Sequence, residues 1–184
     1  MHFLYVTSNE RKFQEAQLVL APSIQLERKN LELQEIQGTL EEIVTYKALQ
    51  AWEQLRVPLL VEDVSLQLES LNGFPGPYVK FFLQTVGENG LWEITRALGN
   101  SRVETSCYVA YIDERRKPQV FCGHIRGRIV PPKGELRHGK VSYNTVFQPD
   151  GYEKTFGEMS MEEHAQMSHR FHALQDFRSS LICS

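Results

Sequence analysis

The first twenty residues constrain the fold more than any other stretch. Phe3, Leu4, Tyr5 and Val6 form a short apolar run of the kind buried in a sheet, and Thr7-Ser8-Asn9 then supplies oxygens that cap a helix carrying Phe13, Ala16 and Leu20 on one face. A buried strand that turns directly into an amphipathic helix is the opening of an α/β layer. A second cap, Thr39 with Glu42 three residues later, starts a helix whose apolar stripe reads Leu40, Ile43, Val44, Ala48, Ala51 and Leu55. Pro58 to Val61 is the next strand, expected to end at Glu62 and Asp63.

Gly73 to Pro77 reads as a rigid loop, with Pro77 as the first residue of a helix through Phe81 and Phe82, and a further helix is expected after Gly90, from Leu91 to Leu98. Thr105 to Ile112 and Gln119 to Val130 alternate in strand fashion around the charged turn Asp113 to Pro118, an antiparallel hairpin that makes the sheet mixed. After a loop at 131–140, Ser160 with Glu163 forms a third capping box, and Phe171, Leu174, Phe177 and Leu181 mark a last helix that Ser168 is placed to cap. No repeat, low-complexity tract or linker separates the segments, so the expectation is one domain over residues 1–184, of α/β class, with a mixed sheet.

Composition narrows the partners. A net charge of -3 argues against a basic face tracking a nucleic-acid backbone, so a phosphate partner should be small. Cys107, Cys122 and Cys183 are scattered and odd in number, which suits a reducing compartment better than a disulfide framework. With no leader-like start and no run of about 18 apolar residues, a soluble cytoplasmic protein is expected.

Four groups of residues have chemistry to offer. Thr7, Asn9 and Lys12 lie at a strand-to-helix junction, where free N–H groups, the helix dipole and a lysine favour an anion; an ordinary helix cap has the same pattern. The spacing is not the Gly-x4-Gly-Lys-Ser/Thr loop of kinases and GTPases. Glu35, Glu62 and Asp63 are acids that, meeting in a cleft, would hold a hard divalent cation together with phosphate oxygens, since such an ion needs only one or two protein carboxylates. Lys47 falls on an apolar stripe, where it either snorkels to water or aims its ammonium into a site. Tyr78 and Lys80 follow the stiff turn, and Ser168-His169-Arg170 can present hydrogen bonds to a base edge.

The order of these motifs resembles the Ham1/inosine triphosphate pyrophosphatase family along essentially the whole chain. Thr7-Ser8-Asn9-Glu10-Arg11-Lys12 is similar to its Thr-(Gly/Ser)-Asn-x-x-Lys opening, and Val61-Glu62-Asp63-Val64-Ser65-Leu66 with Leu71 to Lys80 to its central signature. Phe147 to Tyr152, Thr155, Glu158-Met159 and Ser168-His169-Arg170 resemble its C-terminal run. The resemblance implies an α/β fold with a long mixed sheet flanked by helices and a nucleotide cleft between two lobes, a homodimer, and Mg²⁺-dependent hydrolysis of non-canonical purine nucleoside triphosphates (ITP, dITP, XTP) to monophosphate and pyrophosphate. It also implies roles. Thr7, Ser8, Asn9, Lys12, Lys47 and Lys80 would hold phosphates, with Ser65 a further substrate contact. Glu35 and Asp63 would hold Mg²⁺ with Glu62 nearby, and Asp63 would orient or deprotonate the attacking water, assisted by Lys12 and Lys47. Ser168, His169 and Arg170 would face the purine, the last two reading its 6-oxo edge.

The departures are all on the base side. Where the family reads Phe-Gly-(Trp/Tyr)-Asp, this chain has Val141, Ser142, Tyr143 and Asn144, leaving Tyr143 as the aromatic platform and replacing an acceptor-only carboxylate by an amide that also donates. The family's Lys-Asn pair becomes His164-Ala165, so a fixed cation becomes titratable. These changes are expected to alter base selectivity or slow turnover. The rival readings are a nucleotide sensor that binds a triphosphate without cutting it, and a purely structural interaction protein.

Overall fold

The computed structural model describes residues 1–135 and 141–182. Half of the expected 131–140 loop, and Cys183, lie outside the described residues. The strands are β1 (His2–Val6), β2 (Gln25–Lys29), β3 (Leu59–Leu68), β4 (Pro75–Gly76), β5 (Arg102–Ile112), β6 (Gln119–Ile129) and β7 (Phe147–Pro149). The helices are α1 (Glu10–Leu20), α2 (Leu40–Leu55), α3 (Val79–Ala97), α4 (Met161–Ala165) and α5 (His169–Ile182). The strands pair in the order β2-β1-β3-β5-β6-β7, with β4 on β3, giving one mixed sheet. The chain divides into two compact units, each assembled from separate stretches of sequence: 1–63, 107–123 and 165–184 form the first, and 64–106 with 124–164 the second.

In the first unit β1 is flanked by parallel neighbours, with Phe3 opposite Leu26 on β2 and Tyr5 opposite Leu60 on β3. Because side chains alternate across a strand, Val6 and Val61 reach one core with Val44, Ala48, Ala51 and Trp52 of α2 and Ala110 and Ile112 of β5. Phe3, Tyr111, Phe121 and Phe177 of α5 meet by their rings. β2 was not foreseen: Gln25-Leu26-Glu27-Arg28-Lys29 buries only Leu26, as suits a charged edge strand that discourages pairing with another chain. In the second unit Tyr143, Phe147, Phe156 and His164 pack ring to ring, and Arg102 grips Asp150 through two bonds of 2.8 and 2.9 Å.

All four expected caps are present: Asn9 on α1, Thr39 with Glu42, Ser160 with Glu163, and Ser168 accepting from Phe171 N–H at 3.2 Å. The hairpin turns where expected, with Arg116 in the left-handed region and its N–H donating to Asp113 O. Three readings are corrected. The strand from Leu59 does not stop at Glu62-Asp63 but runs on to Leu68, because the charges placed mid-strand are met by cations of the same unit. Pro77 precedes rather than begins its helix, whose N-cap is Tyr78. The two helices expected around Gly90 are continuous there; the break is at Gly87, whose φ of 69° only glycine adopts without strain. Among the described residues no helix is long and apolar enough to cross a membrane.

Candidate active site

The β1–α1 junction is built as its sequence suggests. Asn9 caps α1 by accepting from Lys12 N–H at 3.2 Å, and Thr7 Oγ1 accepts from Asn9 N–H at 3.1 Å, so the two side chains order the turn while Ser8 stands exposed. Lys12, in the first turn of α1, points its ammonium to within 3.1 Å of Glu62 Oε1.

Glu62 is the hub of a buried network. Arg170, at the start of α5, donates through Nε to Oε2 at 2.6 Å and through Nη2 to Oε1 at 2.7 Å, while its Nη1 donates to Glu15 Oε2. Tyr5 O–H also donates to Glu62 Oε2, and Ser168 O–H donates to Glu15 Oε1 at 2.5 Å. Burial alone would push the Glu62 carboxyl up, but the Arg170 guanidinium, the Lys12 ammonium and hydrogen bonds from Arg170 and Tyr5 outweigh it and hold it at about 2. The same opposition works on the cations: burial pulls Lys12 down, and Glu62 and Asp63 more than restore it. Burial and the neighbouring Glu62 keep the Cys107 thiol well above its usual range, so it sits 3.9 Å from that carboxylate as a neutral donor.

Asp63, the next residue on β3, serves a different group, as the alternation of a strand requires. Its Oδ2 lies 2.7 Å from Lys47 Nζ, and Glu35 Oε1 lies 3.8 Å from the same ammonium. The structure therefore brings Glu35 and Asp63 together, with Lys47 aimed between them rather than snorkelling away. Oxygen donors of this kind suit a hard divalent cation that completes its shell with phosphate and water, and among the described residues no larger His/Cys/Asp/Glu cluster exists.

The remaining predicted residues lie elsewhere. His169 is buried beside Arg170 at the start of α5. In the second unit, Ser65 Oγ is 2.7 Å from Ser106 Oγ, and buried Tyr143 has its hydroxyl 2.7 Å from Thr105 Oγ1. Asn144 accepts from Gly157 N–H through its backbone, His164 is buried edge-on against Phe156, and Lys80 is exposed with its ammonium over the Phe81 ring.

Three contributors were missed. Glu15 had a signal, an acid on the buried face of α1 beside Ala16, which implies a buried cation somewhere. Tyr5 had none, since a tyrosine in an apolar strand reads as core. Gly123 lets α5 sit directly on β6: a Cβ there would stand 2.1 Å from His169 O and 2.7 Å from Ala173 N. Gly123→Ala must therefore lift the turn that carries Arg170, and a loss of about 2 kcal/mol is expected in urea unfolding.

The family model described as the Ham1 family matches residues 3–180. The chain belongs to the Ham1 family. Among curated Ham1 relatives, the inosine triphosphate pyrophosphatase of Schizosaccharomyces pombe is 36% identical, over 97% of this chain and 94% of that protein. The dITP/XTP pyrophosphatase of Methanopyrus kandleri is 39% identical, over 96% and 94%. The solved HAM1 protein of Coxiella burnetii has the same fold, with a TM-score of 0.85, 21% identity and full coverage of both chains. The Staphylococcus aureus Ham1 protein gives 0.80, 22% identity, and 100% and 99% coverage.

Proposed function

We propose that this Ham1-family protein is a nucleoside triphosphate pyrophosphatase that hydrolyses ITP, dITP and XTP to the monophosphate and pyrophosphate with Mg²⁺, clearing aberrant purines from the nucleotide pool. The observation that carries the reading is the convergence of Glu35 and Asp63 on Lys47, in the same unit as the Thr7–Lys12 anion seat. The activities in the relatives' names support it. Mg²⁺, when bound, neutralises phosphate charge and withdraws electrons from the bond that breaks. Glu35 and Asp63 would hold it, and Asp63 would also orient or deprotonate the attacking water. Lys12 and Lys47, with Thr7, Ser8 and Asn9 of the same unit, meet the phosphate charge. A cytoplasmic homodimer completes the proposal.

Two roles are revised. Glu62, with both oxygens engaged by Arg170, Tyr5 and Lys12, acts as the counter-ion that fixes Lys12 rather than as a metal ligand. Arg170, committed to Glu15 and Glu62, acts through that carboxylate, so in this unit a hydrogen bond to the base falls to its neighbour His169. The test is the steady-state rate of Mg²⁺-dependent pyrophosphate release from ITP, XTP, GTP and ATP. Release from ITP and XTP, with measurable turnover of GTP, is expected from the altered base-side residues. A profile sharply restricted to ITP and XTP would remove the claim about selectivity while leaving the enzyme. Absence of release from every substrate would favour the sensor.

A further inference from the structure

The ammonium of Lys47 lies 2.7 Å from Asp63 Oδ2 and 3.8 Å from Glu35 Oε1, the two carboxylates assigned to the divalent cation. Carboxylates brought together from a loop and a strand repel unless a positive charge is set beside them. In this chain that charge is covalently attached: Lys47 is rooted on α2, and its side chain is only 13% exposed.

We infer that Lys47 is a built-in counter-ion that competes with the divalent cation for Glu35 and Asp63, and that it gives them up only when an anionic triphosphate offers its ammonium another partner. The inference rests on the proposed pyrophosphatase reading. An ammonium already paired with a metal's own ligands weakens metal binding by mass action, and a dication brought beside it is repelled. The four-carbon stem of lysine lets the ammonium swing without moving the helix. Substrate phosphates that draw Lys47 off the carboxylates therefore raise metal affinity, and by thermodynamic linkage the metal raises substrate affinity to the same extent. The nucleotide-free protein binds Mg²⁺ weakly, and metal and triphosphate enter cooperatively.

The test is calorimetric titration of Mg²⁺ into nucleotide-free protein, repeated with Mn²⁺ by water-proton relaxation, for the wild type, Lys47→Met and Lys47→Gln. Both variants keep most of the stem, so the packing of α2 is retained. Removing a largely buried competing cation is expected to tighten Mg²⁺ binding about tenfold in each, although turnover falls. Adding Asp63→Asn to Lys47→Met is expected to abolish that gain. Mg²⁺ affinity unchanged or weakened in both lysine variants overturns the inference. Pyrophosphate release by the wild type is measured alongside. If it occurs while the variants gain no affinity, the inference alone fails; if it is absent, the functional reading fails and this inference with it.

Discussion

Arg170→Met is expected to lower the unfolding free energy by about 4 kcal/mol, the scale for removing one partner from a buried ion network. The guanidinium it deletes lies between Glu15 and Glu62, and those buried carboxylates lose the cation they share. Methionine restores the stem's volume, so the loss reports charge rather than a cavity. The sign with pH separates this from simple loss of packing. In the wild type the Glu62 carboxyl lies at about 2 against an ordinary 4.5, so its contribution is fully present above about 4.5 and is lost as pH falls towards 2. Without Arg170, burial dominates and pushes the same carboxyl up, so the variant gains relative stability on acidification. Urea midpoints from pH 6 to pH 3 should therefore show the gap narrowing. A gap of constant size would mean that Glu62 is not held ionised by Arg170.

Asp63→Asn is expected to lower kcat by about a thousandfold, within the range for losing a general base or a preorganised charge. It should leave the unfolding free energy from urea titration within about 1 kcal/mol of wild type. The amide keeps the shape of the carboxylate and retains a carbonyl oxygen that accepts from Lys47 Nζ, so the ion pair is weakened without stranding a buried cation. It loses the basicity to take a proton from water and the charge to hold a dication. Turnover near the wild-type level would take Asp63 out of the reaction, and a large loss of stability would make it a structural residue instead.

These two residues also show how much of the molecule was legible. The cap that Asn9 gives α1 and the capping boxes could be read directly, because a cap is chemistry between residues three apart. Lys47 on the stripe of α2 was read with both of its outcomes open, and the choice between them needed Glu35 and Asp63, far away along the chain. The division of labour between Glu62 and Asp63 was hidden by the assumption that two adjacent acids end a strand. Once β3 runs through them, alternation sends one to Arg170 and Lys12 and the other to Lys47. Glu15 announces a buried cation only in general terms, and Tyr5 reads as core, because the Arg170 that both networks meet comes from the far end of the chain. Gly87 and Gly90 are equally permissive as letters in the sequence, and the backbone break falls at Gly87. β2 does not alternate and β7 is only three residues long, so periodicity had little to register.

The central claim, that acids and lysines gathered around Asp63 serve the hydrolysis of a purine triphosphate, is tested most directly by following ITP with the wild-type protein by ³¹P NMR, with Mg²⁺ and then with excess chelator. The account predicts IMP and pyrophosphate as the only products, in equal amounts, and no reaction after chelation. Inorganic phosphate with IDP, or turnover that survives chelation, would contradict it.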